Sequence, residues 1–398
     1  MLKYFTPPSI VFYSLVVLFT TYKVHAMEKD TIRVATFNVS MDASNYVNSH
    51  KNKKLSSDAL NQALDAHHSQ IKNIAEIIQQ INPDIILLNE FDYQGQQDKA
   101  LIKFMTLYLE KSQNNQSPIK FPYYYQADVN TGVKTKFDLN NDAKITTPAD
   151  TYGFGSFPGQ YGMAILSKYP IDKTAIRTFQ YFKWKDMPGA LKPVDPKTNN
   201  SWYSEQAWAD FRLSSKSHWD IPISINNKKI HVLASHPTPP VFDGPEDRNG
   251  KRNHDEIRFW VDYVDPLKSS YIYDDNNKYG GLSKDSRFVI LGDLNASNLD
   301  GDAIYNGINS LLTSPFIQDP KPESLGGASH NSNNSNAKYH TAFWGMRADY
   351  VLPSVSGWVI KKSGIFWPNK EDTAYQLIKD RNASSDHRLV WVDLTLTK

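Results

Sequence analysis

Short, nearly unbroken apolar runs recur along this chain, and most of them close on a polar residue: TIRVATFNVS from Thr31, DIILLNE (84–90), GMAILSK (162–168), DIPISIN (220–226), KIHVLASH (229–236), RFVILGD (287–293), ADYVLP (348–353) and RLVWVDL (388–394). They are short and rich in Ile, Val and Leu, which suits strands, and a run as continuously apolar as DIILLNE must be covered on both faces. Between them, HHSQIKNIAEIIQQINPD sets Ile71, Ile74, Ala75, Ile78 and Ile81 at helical spacing ahead of Pro83. Further helices are expected over 99–111, 254–264 and 302–312. Alternating strands and helices, with a hairpin-like pair over 220–236, predict one large α/β domain of two packed mixed sheets with outer helices. No Pro- or Ser-rich linker and no repeat divides it. The low-complexity stretch SHNSNNSNAK (329–338) reads as a mobile surface loop. Insertions at about 112–160, 183–218 and 237–256 are the expected carriers of specificity.

The first residues have another purpose. Lys3, the apolar IVFYSLVVLF of 10–19 and Val24-His25-Ala26 form a secretory signal pattern, with cleavage expected after Ala26 and the domain running over 27–398. The apolar stretch is about half the roughly twenty residues that cross a bilayer, so no stable membrane anchor is expected, and the protein is expected in the periplasm or the medium. With no cysteine, thiolate metal sites, a cysteine nucleophile and a disulfide framework are all excluded. Thirteen per cent aromatic residues, nine of them Trp, supply surface for a sizeable core instead. The formal charge of +2 includes Lys3 and Lys23 of the leader, so the mature chain is close to neutral. It therefore lacks the global cationic excess of a non-specific nucleic-acid binder, and only a local basic patch remains open. No obligate protein partner is evident.

The polar strand ends pose the central question. RFVILGDLNASN (287–298) sets Asp293 and Asn295 two apart, either as a tight turn or as two side chains pointing together at the mouth of a sheet. Taken singly, each such ending has an ordinary explanation as a turn or a hydrogen-bonded core residue. Together, Asn38, Glu90, His236, the Asp293 and Asn295 pair, Asp349 and Asp386-His387 make a set suited to phosphoryl chemistry.

These residues also resemble a known family. TFN, NE, GMAILS, SH, GDLN, ADYVL and SDH occur in the order and spacing of the endonuclease/exonuclease/phosphatase superfamily with its DNase-I-like fold, from about Thr31 to Leu394. The resemblance implies a four-layer sandwich, two mixed sheets between helices, and cleavage of phosphate esters with Mg²⁺ or Mn²⁺. It implies oxygen ligands for the cation from Glu90, Asn38 and Asp386, which suit a hard ion. It implies that Asp349 orients His387, that Asp293 handles the attacking water, and that Asn295 and His236 hold phosphate oxygens. Whether Asp293 or the His387–Asp349 pair is the base stays open at this point. Two departures stand out: Ser40 occupies the place where abasic-site endonucleases have Asp, and Asn89 the place often held by Gln.

Two insertions carry further expectations. In SHPTPPVFDGPEDRNGKRNHDEIRFW (235–260), Asn253 is the expected N-cap of a helix, and Arg248 or Arg252 is positioned to clamp a substrate phosphate. DLNND (138–142) opens like a calcium loop, but Ala143 stands where Gly belongs and no Glu follows at the twelfth place, so a polar turn is set against a structural Ca²⁺ site. The expected enzyme is an exported, metal-dependent phosphodiesterase acting on nucleic acid. The alternatives are a phosphatase or phospholipid phosphodiesterase, or a non-catalytic binding protein on the same fold.

Overall fold

A computed structural model describes residues 1–2, 31–46 and 55–397, so the expected leader lies outside the described residues apart from its first two. The strands are β1 (Thr31–Met41), β2 (Ile85–Phe91), β3 (Tyr123–Tyr125), β4 (Met163–Ser167), β5 (Arg177–Thr178), β6 (Trp219–Ile225), β7 (Lys228–Ala234), β8 (Phe288–Asp293), β9 (Asp349–Pro353), β10 (Trp358–Ile365) and β11 (Val390–Leu396). Helices are α1 (Ala59–Asp65), α2 (Ser69–Ile81), α3 (Ala100–Phe104), α4 (Glu205–Asp210), α5 (Arg248–Tyr263), α6 (Tyr305–Leu312) and α7 (Leu325–His330). One sheet runs β10-β11-β1-β2-β4-β3 and the other β5-β6-β7-β8-β9. Each is mixed, with a single parallel pair, β1 with β2 and β7 with β8.

The layers follow from side-chain alternation. In β8, Val289 and Leu291 enter the core shared with the first sheet, while Phe288 and Ile290 face α5 and α6. Helix α2 buries Ile71, Ile74, Ala75 and Ile78 on the far side of the first sheet, each isoleucine worth about 1.5–3 kcal/mol of apolar burial. It stops where Asn82 turns left-handed ahead of Pro83. The result is the four-layer sandwich: helices, sheet, sheet, helices. No helix among the described residues is long and apolar enough to cross a membrane.

Several local expectations are corrected. The expected helix over 99–111 is α3 followed by a wider turn over Met105–Leu109. Residues 329–338 include the end of α7 and a turn from Ala337, tied to Asp300 by Asn334 Nδ2 at 2.8 Å. Helix α5 begins at Arg248, not at Asn253, with left-handed Asp247 before it. Asn253 is instead inside the helix, donating to the carbonyls of Thr238 at 2.8 Å and Leu294 at 2.9 Å. In 138–142, Asp138 accepts the backbone N–H groups of Asp142 at 3.2 Å and Ala143 at 2.8 Å, and Asp142 accepts that of Lys144 at 2.9 Å. These carboxylates close a local turn, the polar-turn reading that was set against a structural Ca²⁺ site.

Candidate active site

Strand direction explains why distant polar residues meet. Because β1 and β2 are parallel, Asn38 and Glu90 end at one edge; because β7 and β8 are parallel, His236 and Asp293 end at one edge too. Antiparallel β9 starts there, with Asp349 opposite Asp293, and the loop into β11 delivers Asp386 and His387 beside β1. Close approach of β7 to β8 requires Gly292, since a Cβ there would lie 2.1 Å from the Ser235 carbonyl oxygen.

Asp293 is the hub. It continues the inter-sheet row of Val289 and Leu291, so it points across to the other sheet, where Asn38 Nδ2 donates to its Oδ2 at 3.0 Å. His236 Nε2 stands 3.3 Å and His387 Nε2 3.6 Å from the same oxygen. Burial alone would raise the Asp293 pKa, but positive His387, with His236 and Asn38, holds the carboxyl well below the usual range. Its other oxygen accepts the Asn295 N–H at 2.9 Å, and Asn295 is left-handed with Nδ2 3.2 Å from the Pro237 carbonyl. The DLN stretch is thus a turn and a site together. The strand ends at Asp293, and Asn295 reaches the site as part of an Asx turn, not by extended-chain alternation.

His387 Nδ1 lies 2.9 Å from Asp349 Oδ2, which also accepts Thr341 Oγ1 at 2.7 Å. Burial would lower the His387 pKa, yet the Asp349 and Asp293 charges raise it to about 10. Burial raises Asp349 to about 6 against the pull of His387. His236 goes the other way: burial, then the nearby Lys216 charge, lowers it to about 4, so it is a neutral ring. The exposed Trp344 packs edge-on against His387 with ring centres 4.9 Å apart.

Glu90 is half-buried in left-handed backbone, φ 55°, and Asp386 accepts Ser40 Oγ at 3.2 Å. Burial, then the neighbouring charge of Asp42 and that of Asp386, pushes Glu90 up to about 7. Crowded oxygen donors of this kind fit a hard divalent cation, with Asn38 contributing its amide oxygen. Asp293, Asp349 and His387 also bring ligand atoms within 4.8 Å of one another. In that trio, however, His387 and Asp349 already bond each other, so the Glu90 side is the better cation cradle.

The two arginines expected at the substrate phosphate are engaged within the protein. Arg252 is buried, and its guanidinium donates to the carbonyls of Leu213 at 2.8 Å, Tyr152 at 2.6 Å and Arg212 at 3.1 Å. Arg248 pairs with Glu246 and lies over Trp202. The helical phase of α5 turns Arg252 and Glu256 into the protein, where they hold neighbouring loops.

Two residues escaped sequence reasoning. Asp42 is fully buried and accepts the Ser44 N–H at 2.9 Å, with its charge acting on Glu90. Lys216, 6% exposed, lies in electrostatic range of Glu90 and Asp293. Only the position of Lys216 in the 183–218 insertion hinted at it.

A family model described as the Endonuclease/Exonuclease/phosphatase family matches residues 35–387. Among solved structures, the chain is similar to an endonuclease/exonuclease/phosphatase from Beutenbergia cavernae DSM 12333, at 15% identity and a TM-score of 0.50, over 92% of this chain and 72% of that one. A truncated TDP2 from Caenorhabditis elegans gives 14% identity and a TM-score of 0.43, over 92% and 98% of the two chains. A beta toxin from Staphylococcus aureus gives 15% and 0.43, over 91% and 99%. No curated protein matches the sequence.

Proposed function

Because the chain belongs to the Endonuclease/Exonuclease/phosphatase family, hydrolases acting on phosphoester bonds, we propose that it is an exported, divalent-metal-dependent phosphoesterase working around Asp293. The observation that carries this reading is the convergence of Asn38, His236 and His387 on one buried carboxylate oxygen. Asp293 is ionised and therefore able to orient a water and accept its proton as the water oxygen attacks phosphorus. His387, held protonated by Asp349, donates from Nε2 to a phosphoryl oxygen rather than acting as the base. Neutral His236 and Asn295 complete the oxygen contacts. Asn38, Glu90 and Asp386 would hold Mg²⁺ or Mn²⁺, with Asp42 adding charge behind them. The bound ion supplies neutralisation of charge developing on phosphate and leaving group.

For the substrate, a small ester recognised through its scissile phosphate is favoured, because Arg248 and Arg252 are committed internally and Lys251 Nζ donates to the Glu246 carbonyl at 2.6 Å. A polynucleotide needs cations along its backbone. The nuclease reading retains one observation of its own, the exposed Trp344 beside His387, a face on which a base can stack. Hydrolysis of duplex DNA, RNA, phospholipid, inositol phosphate and nucleotide monoester, each with Mg²⁺, Mn²⁺, Ca²⁺ or EDTA, decides between them. Cleavage of DNA or RNA with steep salt dependence would overturn the small-substrate preference. Export is read from the leader pattern alone, with residues 27–398 as the working domain. Mass spectrometry of the exported protein should find Met27 at its N-terminus, and an intact chain retained in the cell would contradict it.

A further inference from the structure

The segment Leu213–His218 is pinned from several sides. Arg252 holds the Leu213 carbonyl, Asn130 Nδ2 the Ser214 carbonyl at 2.8 Å, Glu256 Oε1 the Ser215 N–H at 2.6 Å, and the Asn130 N–H the Lys216 carbonyl at 2.9 Å. Ser215 Oγ reaches the carbonyl of His236 at 3.4 Å, which sets the segment against the strand end that carries a site residue. Among these fixed residues stands Lys216, almost wholly buried.

Its ammonium makes no hydrogen bond and no ion pair among the described residues. The carboxylates whose charges reach it are Glu256, Glu90 and Asp293. Glu256 is spent on the N–H groups of Ser215 and Thr238, at 2.6 Å and 2.7 Å, and Asp293 on Asn38 and Asn295. A cation so shielded from water, with only a small opening to solvent and no protein partner among the described residues, gains from an anion that completes it. The ordinary buried lysine has its partner; this one has charge balance at a distance and nothing in contact.

Resting on the reading of the cleft as a phosphoester hydrolase site, we propose that Lys216 is the protein's own cation for the substrate: its ammonium binds a non-bridging oxygen of the phosphoryl group presented to Asp293. Lys216 then does for a single phosphate what the α5 cations were expected to do. Arg252 and Glu256 become positioning residues that hold the segment bearing it. A point charge with rotatable donors suits one tetrahedral phosphoryl group, whereas reading a polynucleotide backbone requires several such cations in a row.

The test is inorganic phosphate binding, by calorimetry on the Mg²⁺-loaded full-length protein, to wild type, Lys216→Met and Lys216→Arg. We expect Lys216→Met to weaken phosphate binding at least tenfold and Lys216→Arg to recover most of it. Unchanged affinity in Lys216→Met overturns the proposal. If Lys216→Met does not fold, ¹⁵N resonances of lysine Nζ in wild type decide, assigned with Lys216→Arg: a Lys216 signal that moves on adding phosphate supports the contact, and one that stays overturns it. A wild type that binds phosphate through Lys216 but hydrolyses no ester would sink the proposed function and leave this inference standing.

Discussion

Replacing Asp349 by Asn separates the electrostatic work of the His387 pair from its packing. Asp349 is fully buried, 2.9 Å from His387 Nδ1, and an Asn of nearly equal size can keep that hydrogen bond while losing the charge. The rise of His387 from 6.5 to about 10 corresponds, at roughly 1.36 kcal/mol per unit, to on the order of 5 kcal/mol, shared between Asp349 and Asp293. The rise of Asp349 to about 6 works against it, because a carboxylate with a raised pKa loses stability once ionised, by about 3 kcal/mol on the same scale. The two nearly cancel, as is common for a buried pair, so stability at pH 7 should change by less than about 2 kcal/mol. The slope with pH should change far more. His387 contributes stability that is complete below pH 6.5 and lost as pH rises to about 10, since in that window only the folded state holds its proton. Asp349 is ionised in both states there and adds no slope. Urea unfolding in EDTA at pH 7, 8 and 9 should therefore show wild type losing more stability per pH unit than Asp349→Asn, by up to roughly 1.4 kcal/mol, the part of the His387 shift that Asp293 sustains remaining in the variant. Turnover should fall roughly 10²–10⁴-fold. Equal slopes for the two proteins would refute the claim that Asp349 keeps His387 charged.

Other outcomes follow from the same geometry. Glu90, raised to about 7, destabilises the metal-free protein above that pH and not below 4.5, so Glu90→Gln should be as stable as wild type or up to roughly 2 kcal/mol more stable at pH 8 in EDTA. Mn²⁺ should raise the melting temperature of wild type and not of Glu90→Gln; an equal rise in both would place the cation elsewhere. Arg252→Ala leaves the buried Leu213 carbonyl and the half-buried Tyr152 and Arg212 carbonyls without this donor and should cost about 2–4 kcal/mol in urea unfolding. An unfolding curve unchanged by it, with a raised KM, would return Arg252 to the role of phosphate clamp. Arg248→Ala with Lys251→Ala should leave kcat/KM on the best small substrate within about threefold, and a loss beyond tenfold would put the start of α5 in the substrate path.

The layered fold and most of the site were legible because both arise from local pattern. A covered strand needs an apolar run, and when it ends at an open edge its next residues are free to be polar, so Asn38, Glu90, His236 and Asp293 stand out in one dimension. What misled was helical phase. The prolines after His236 made the chain as far as Asn253 look like loop, but with a helix start at Arg248 the 3.6-residue period turns Arg252 and Glu256 together into the interior. Lys216 was illegible for the opposite reason. Nothing in RLSSKSHW marks one lysine as buried; its burial comes from Asn130 and α5, far away in sequence and brought there only by the sheet order. Asp42 hides likewise, four residues past Asn38 where β1 kinks and loses register with β2.

The most direct test of the account is the hydrolysis of bis(p-nitrophenyl) phosphate by residues 27–398 and by its Asp293→Asn variant, each with Mg²⁺, Mn²⁺ or EDTA. Asp293→Asn is nearly isosteric and keeps an acceptor for the Asn295 N–H, so circular dichroism should be unchanged. The account predicts turnover in wild type with metal, none above background in EDTA, and a loss of at least 10³-fold in Asp293→Asn with metal, the scale expected when the proton acceptor at phosphorus is removed. Full activity in Asp293→Asn, or undiminished wild-type activity in EDTA, would contradict it.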